Sequence, residues 1–291
     1  MTSPATEPGR VPTLAELLDL APDVGGDPDR FLGFSPPSLL PRVFGGQVLA
    51  QSLVAATRTV DPGRPVHSLH GYFLRPGDLQ VPITFAVERL RDGRSFSARR
   101  THALQGGVPI LSMITSFQDP AVGLDHQDAM PDLPAPESLP NLQDIYADVP
   151  AAALWLRNRP VDLRHIEGPI YLAAGSRRVA AQAVWMRCTA TLPDDPAVHA
   201  AALAYLSDFS LLEPVLRRHG KAWTTPGMKV ASLDHAMWWH RPARADEWLL
   251  YLQRSPSASG ARGLATGELY TRDGVLVCAV AQEGMIRVPM Q

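Results

Sequence analysis

The sequence lacks the features that mark secreted, membrane and disulfide-rich proteins. It has only two cysteines in 291 residues, Cys188 and Cys278, and both lie in strand-like apolar runs, so we interpret them as buried, reduced thiols. No apolar run approaches the roughly 20 residues that span a bilayer. Residues 1–8 are polar, without the hydrophobic region of a signal peptide. We therefore expect a cytoplasmic protein with no membrane partner.

The sequence also lacks an excess of either charge. It has 27 Lys and Arg residues against 29 Asp and Glu residues, for a net charge of −2 and a pI near 6.5. This balance gives no electrostatic footprint for nucleic acid, and we predict no nucleic-acid partner. Hydrophobic residues make up 45% of the chain, which is ordinary for a globular protein of one large or two modest domains.

A helix rich in small apolar residues is predicted to begin at Pro196. Asp195 before it has a favoured N-cap side chain, and proline is favoured at the first helical position. The apolar stripe of this helix contains Val198, Ala201, Ala202, Tyr205, Phe209 and Leu212. Asp208 interrupts the stripe, and a carboxylate there is unfavourable unless it is paired or hydrogen-bonded.

Two interpretations of Asp208 follow from this pattern. In the first, the helix has ended by Ser207, ahead of the break imposed by Pro214, and Asp208 is a solvated cap. In the second, Asp208 is a partly desolvated carboxylate that acts as a base on water. The helical pattern alone leaves both open.

The rest of the chain indicates helices and antiparallel strands of the α+β class. A short helix over residues 13–20 is capped by Thr13, and a second, small-residue-rich helix follows Gly45-Gly46. Strands are predicted at residues 30–34, 66–75, 81–90, 95–104 and 108–118. The pairs Asp92-Gly93 and Gly106-Gly107 are hairpin signals between them. A helix followed by a run of such strands is typical of α+β proteins.

Residues 119–142 interrupt this pattern with five prolines, which indicates a surface linker. A helix near residues 142–157 and strands at 177–181 and 183–192 are predicted beyond it. The predicted organisation is an N-terminal repeat over residues 1–118, a Pro-rich linker with a short helix over 119–170, and a C-terminal repeat over 171–291.

Three stretches of the first half recur in order in the second half. Residues 67–76 resemble 233–242, so that the ending Arg75-Pro76 recurs as Arg241-Pro242. Residues 95–99 resemble 258–262, and residues 108–118 resemble 274–284. Three pairs of similar segments, in the same order and at nearly constant spacing, indicate two copies of one helix-and-strands unit.

Several separated motifs together resemble the type II acyl-CoA thioesterases, the TesB family. The motifs are residues 43–48, 67–77, 90–100, 234–238, and 273–277 with 282–284. The resemblance extends from about residue 13 to residue 287. It implies a double hotdog fold, in which each of two repeats wraps an antiparallel sheet around a long helix. It also implies dimers or tetramers of this double unit.

The resemblance further implies a hydrogen-bonded catalytic trio of Asp208, Ser232 and Gln282. The family commonly has threonine where this sequence has Ser232; the hydroxyl is kept, and the methyl that restricts its rotamer is lost. We expect Asp208 to act as the general base while Ser232 and Gln282 hold the water, in the hydrolysis of acyl-CoA to free acid and CoA. No cofactor or metal is expected. The N–H groups at Gly45-Gly46 or near Asp208 are candidate oxyanion donors.

The trio has no counterpart in the first copy. At the spacing that separates Arg75 from Arg241, Asp208 corresponds to Arg42, and no acidic residue lies between positions 34 and 59. At the same spacing, Ser232 corresponds to Val66 and Gln282 corresponds to Ser116. We therefore expect one site per chain.

Other constellations are less favoured. A triad of Ser232, Asp234 and His235 would need neighbouring strand residues to converge, although they point to opposite faces. The absence of Gly-x-Ser-x-Gly argues against an α/β-hydrolase. The pairs His67/His70 and His235/His240 lack carboxylates at ligand spacing, which favours structural roles over a metal site. Two rival functions remain: a hotdog hydratase or dehydratase acting on enoyl-thioesters, and a non-catalytic acyl-CoA-binding protein.

Overall fold

A computed structural model describes residues 12–37, 41–149 and 159–289 of the chain. The helices are α1 (Leu14–Leu18), α2 (Gly45–Thr57), α3 (Leu142–Ile145), α4 (Pro196–Ser207) and α5 (Glu213–Arg218). The strands of the first half are β1 (Ala21–Pro22), β2 (Arg30–Gly33), β3 (Val66–Phe73), β4 (Ile83–Asp92), β5 (Phe96–Gln105) and β6 (Val108–Gln118). Those that follow are β7 (Val161–His165), β8 (Ala181–Cys188), β9 (Lys229–Ser232), β10 (Asp234–Trp239), β11 (Leu249–Ser259), β12 (Arg262–Thr271) and β13 (Leu276–Arg287).

These thirteen strands form one antiparallel sheet. Its order is β1-β2-β4-β5-β6-β3-β10-β13-β12-β11-β8-β7, and β9 pairs with β13 beside this path. At the centre, β3 pairs with β10, with Leu69 opposite Met237. Outward from that pair, β6, β5 and β4 on one side mirror β13, β12 and β11 on the other. The two copies seen in the sequence therefore meet through β3 and β10, which carry the motif that they share.

The sheet packs against two central helices, α2 and α4. Both are formed largely from small and apolar residues that are buried, as their sequences predict. The helices contact each other closely: a Cβ atom added at Gly46 would lie 2.7 Å from the backbone oxygen of Tyr205. Phe44, just before α2, packs edge-on against the Tyr205 ring at 5.2 Å. The start of α2 thus lies beside the end of α4.

The predicted starts of α1 and α4 are confirmed, whereas α2 begins at Gly45 itself and not after the glycine pair, and the end of α4 has a different cause from the predicted one. Thr13 and Glu16 form a capping box at α1, and Asp195 caps α4 by accepting from the Ala197 N–H. Helix α4 ends at Ser207, but Pro214 lies in the first turn of α5, where proline is favoured. Pro214 is therefore the second residue of the next helix and does not end α4.

The segment between the two copies is more ordered than its prolines suggest. Residues 161–165, inside the predicted linker, form β7 and pair with β8. The helix predicted over 142–157 extends only over Leu142–Ile145 within the described residues, and positions 150–158 lie outside them. Residues 181–188 form one strand where two were predicted, because residues 177–180 are not part of the sheet. The repeat boundaries at 118 and 171 stay a prediction.

Cys188 and Cys278 are both buried and free, as predicted. Burial raises the pKa of the Cys188 thiol to about 12, which keeps it protonated. In the part of the chain that the structure describes, no helix is both long and apolar enough to cross a membrane.

Candidate active site

The side chains of Asp208, Ser232 and Gln282 meet at the end of α4. Asp208 is the C-cap of that helix, Ser232 ends β9, and Gln282 lies in β13. Gln282 Nε2 donates to Asp208 Oδ1 at 2.6 Å, and Ser232 Oγ donates to the same oxygen at 3.3 Å. The structure therefore brings together the three residues singled out from the sequence.

Asp208 is a cap, but not a solvated one. The helix ends at Ser207, as the first interpretation held, yet only 5% of the Asp208 side chain is exposed. Burial raises the pKa of Asp208 from its usual 3.8 to about 6, although Gln282, the Gly46 N–H, Ser232 and the charge of Arg42 all favour the ionised form. A carboxyl that titrates near neutral pH can exchange a proton with water during a reaction.

The first turn of α2 covers the other side of the carboxylate. A Cβ atom added at Gly45 would lie 2.8 Å from Asp208 Oδ2 and 3.1 Å from the ring of Phe73. The N–H groups at a helix N-terminus favour nearby negative charge. The N–H of Gly46, a candidate oxyanion donor from the sequence, interacts instead with the carboxylate of Asp208.

His235 is a further residue of the site, which the sequence analysis had set aside as structural. It is fully buried, with Nε2 2.8 Å from Ser207 Oγ and Nδ1 3.1 Å from Gln282 Nε2. Burial lowers the pKa of His235 to about 3, so its ring is neutral. Strand alternation could have predicted from the sequence that His235 is buried, because His235 and Met237 both face inward from β10.

The triad of Ser232, Asp234 and His235 is not formed. Asp234 Oδ1 accepts the backbone N–H of Glu283 at 2.6 Å, while His235 points into the core. Neighbouring residues of β10 therefore face opposite sides, as strand geometry requires.

The first copy has a different residue at the position of Asp208. The C-cap of α2 is Arg58, which donates to Leu20 O and to Asp19 Oδ1. The match of Asp208 to Arg42 by a constant spacing was wrong, because α5 lies between helix and strand only in the second copy. The spacing in sequence between the two helix ends, Thr57 and Ser207, is therefore shorter than the spacing between matched strand residues such as Arg75 and Arg241.

The histidines considered for a metal site have other contacts. His67 Nε2 lies 2.8 Å from Ser116 Oγ, and the ring of His70 packs edge-on against Trp238 at 5.0 Å. Across residues 12–37, 41–149 and 159–289, no three His, Cys, Asp or Glu side chains are grouped to hold a metal ion.

Comparisons with known proteins place this chain in a family. The sequence profile described as acyl-CoA thioesterase matches residues 168–285, and that described as acyl-CoA thioesterase N-terminal domain matches residues 36–118. Acyl-CoA thioesterase 2 of Haemophilus influenzae is 39% identical over 254 residues, which cover 84% of this chain and 88% of the relative.

Two solved structures share the architecture. The crystal structure of an acyl-CoA thioesterase II, TesB2, from Mycobacterium marinum has a TM-score of 0.76 and 44% identity, covering 95% of this chain and 97% of that chain. A hot dog fold protein of unknown function from Alicyclobacillus acidocaldarius has a TM-score of 0.75 at 21% identity, covering 95% and 98%, and shows the fold alone. The α+β double hotdog fold is confirmed. The chain belongs to the acyl-CoA thioesterase family, a family of thioester hydrolases.

Proposed function

We propose that the chain hydrolyses acyl-CoA to a free acid and CoA, with Asp208 as the general base for the attacking water. The observation that carries this assignment is the buried carboxylate, whose pKa is raised to about 6 and whose Oδ1 accepts from Gln282 and Ser232. Such a group is ionised at neutral pH and is close to the pKa at which general-base catalysis is most effective.

The reaction is balanced by one water molecule. Its oxygen forms a bond to the thioester carbonyl carbon while Asp208 takes its proton, and the carbonyl electron pair moves onto oxygen. When this oxyanion collapses, the carbon–sulfur bond breaks and the CoA sulfur leaves with the electron pair. Asp208 then returns a proton to the thiolate. Because a thiolate leaves readily, correct placement of the water matters more than a strong acid.

Ser232 and Gln282 fix the carboxylate from one side in this proposal. Both donate to Oδ1, and a carboxylate has about four lone-pair sites, so the base keeps capacity to accept from water. The Ser232 hydroxyl can also accept a hydrogen bond, which allows it to orient the same water.

Hydration of an enoyl-thioester is less well supported. Such an enzyme would need a histidine beside Asp208, and His235 Nδ1 does lie 4.0 Å from Asp208 Oδ1. The ring is fully buried, however, and its two nitrogens face Gln282 and Ser207. A histidine with both nitrogens engaged is not available to a substrate.

Free-thiol release from a panel of acyl-CoAs, with crotonyl-CoA hydration measured in parallel, tests the proposal. We expect thiol release by the wild type and a loss of at least roughly 100-fold in kcat/KM in D208N, the range of general-base catalysis. The exposed Asp132 provides the matched control D132N, which should keep wild-type activity. Hydration without thiol release, or a loss in D208N below tenfold, would show that the assignment is wrong.

A second copy of the chain is the partner that we propose for the outer face of the central strands. Tyr72 and Ile114 are 63% and 45% exposed there, and Ile114 is paired with His70, whose ring contacts Trp238. Exposed apolar patches of this kind mark association sites. The double variant Y72E/I114E should lower the mass measured by light scattering to that of one chain; a monomeric wild type would contradict the proposal.

The two buried free thiols support a cytoplasmic location.

A further inference from the structure

A chain of hydrogen bonds leads from the backbone of α4 to the proposed base. Ser207 Oγ donates to Ala204 O at 2.9 Å, and His235 Nε2 lies 2.8 Å from Ser207 Oγ. Gln282 Nε2 lies 3.1 Å from His235 Nδ1 and 2.6 Å from Asp208 Oδ1. Four of these residues are fully or nearly fully buried, so the bonds are shielded from water.

The direction of each bond follows from the one before it. The single hydroxyl hydrogen of Ser207 is directed to the carbonyl of Ala204, a better acceptor than the Met237 sulfur 3.3 Å away. Ser207 Oγ can then only accept from His235, which places the ring hydrogen on Nε2. In a neutral ring, Nδ1 is then an acceptor. Only the NH₂ end of Gln282 can satisfy it.

We infer that His235 is a positioning residue: its Nδ1 acceptor holds the Gln282 amide with the NH₂ group toward Asp208. The two hydrogens of that NH₂ group serve His235 and Asp208 together, which fixes both its rotamer and its flip. This inference rests on the proposed role of Asp208 as the base.

The reverse flip shows why this orientation matters. If Gln282 turned over, its Oε1 would lie where Nε2 now lies, 2.6 Å from Asp208 Oδ1. Two hydrogen-bond acceptors at this distance repel each other unless the carboxyl is protonated. The pKa of Asp208 would therefore rise further. The orientation of one amide therefore affects how much of the proposed base is ionised at neutral pH.

The other groups around Asp208 are unchanged by the flip. Among the described residues, the titratable side chains that interact with it are Arg42, before α2, and Tyr251, on β11, besides His235 itself. Burial raises the pKa of Tyr251, so this phenol stays protonated between pH 5 and 9, and an arginine side chain is always charged in proteins. On the acidic side of the pH profile of kcat/KM, which we call the acid limb, a shift in this range therefore reports on Asp208.

Two substitutions at His235 separate positioning from packing. H235L removes the acceptor, whereas H235N keeps an amide oxygen that can accept near the position of Nδ1. Losing a hydrogen bond to a charged group corresponds to a rise of about one to two pH units in the acid-limb midpoint of kcat/KM. For H235L we expect this shift, with a roughly two- to tenfold loss at pH 7 that recovers at pH 9. H235N should stay near the wild-type midpoint.

A merely structural role gives a different result. H235L and H235N would then lower the melting temperature and the activity without moving the midpoint, and that outcome overturns the inference. If H235L does not fold, S207A replaces it, because alanine is favoured in helices and the substitution removes the acceptor that fixes Nε2–H. S207A should shift the midpoint in the same direction; an unshifted midpoint in folded S207A also contradicts the inference.

The ring tautomer provides a test that does not depend on activity. Nitrogen-15 NMR of the histidine-labelled wild type should show His235 neutral, with the hydrogen on Nε2, from pH 5 to 8. A hydrogen on Nδ1 would overturn the inference even if D208N is inactive. Conversely, the expected tautomer with an active D208N would mean that the proposed function has failed and the hydrogen-bond direction has not.

Discussion

The backbone of Gly45 lies directly against the carboxylate of Asp208. A Cβ atom added at Gly45 would lie 2.8 Å from Asp208 Oδ2, closer than Cβ atoms approach other atoms in folded proteins. Gly45 begins α2 in the first copy, and Asp208 follows α4 in the second. The proposed site is therefore formed by both copies, although its three polar side chains come from one.

We predict that G45A displaces the base. The added methyl must push the carboxylate or the first turn of α2 away, and a displacement near 1 Å can lower a rate about 100-fold. We expect kcat/KM for acyl-CoA to fall at least roughly tenfold while the circular dichroism spectrum is kept. Gly63 is exposed with no atom within 4 Å of an added Cβ, so G63A is the control and should retain activity. Wild-type activity in G45A would show that the contact is unimportant.

The raised pKa of Asp208 means that this carboxyl, the proposed base, destabilises the folded chain at neutral pH. A carboxyl whose pKa is higher in the folded state binds more protons there, so stability falls as pH rises from its usual 3.8 through about 6. Above pH 6 the free energy of unfolding stays lower by the full amount, up to about 3 kcal/mol. We therefore predict that D208N unfolds in urea at a concentration equal to or higher than the wild type at pH 7.5. The same comparison at pH 4 should show a smaller difference, and a D208N protein less stable at pH 7.5 would contradict this reasoning.

The acid limb of the activity profile should report the same group. Because the base must be ionised, kcat/KM should fall tenfold per pH unit below a midpoint of about 6. Arg42 favours the ionised form by its charge, so R42Q should move this midpoint to higher pH. The exposed Arg94 gives the control R94Q, which should leave the midpoint in place. A downward shift in R42Q would have the wrong sign for a carboxylate base.

The sequence showed the repeat, and the family resemblance named the three polar residues that the structure brings together, but neither predicted the groups that surround them. The strand motifs of both copies keep a nearly constant spacing, so the strands could be matched between the copies, although the pairing of β3 with β10 was not predicted. The helix ends could not be matched in this way, because α5 adds residues in only one copy. A constant spacing consequently pointed to Arg42 when the equivalent cap is Arg58.

The environment of Asp208 also could not be predicted from the sequence pattern. Its two interpretations were each half correct, since α4 does end at Ser207 and the carboxylate is nevertheless buried. Of the groups that cover it, Gly45 lies in the other copy and Gln282 lies in the last strand of the chain. Helical periodicity describes neighbours within a few turns and carries no information on such contacts. His235 was missed for the same reason, because its ring orientation depends on Ser207 and Gln282.

The hydroxyl of Ser232 is expected to support the ionised form of Asp208. S232A removes a 3.3 Å hydrogen bond to Asp208 Oδ1, so the pKa of Asp208 should rise and kcat/KM at pH 7 should fall roughly tenfold. S232T keeps the donor and restricts its rotamer, and β-branched residues are favoured in strands.

Gly284 is the cross-strand partner of Ser232, so no side chain at that position of β13 opposes the added methyl. We therefore expect S232T to match or exceed the wild-type kcat/KM, with an unchanged acid limb. Steady-state kinetics from pH 5 to 9 on both variants make the comparison. Equal losses in S232A and S232T would mean that the size of the side chain matters and the hydroxyl does not.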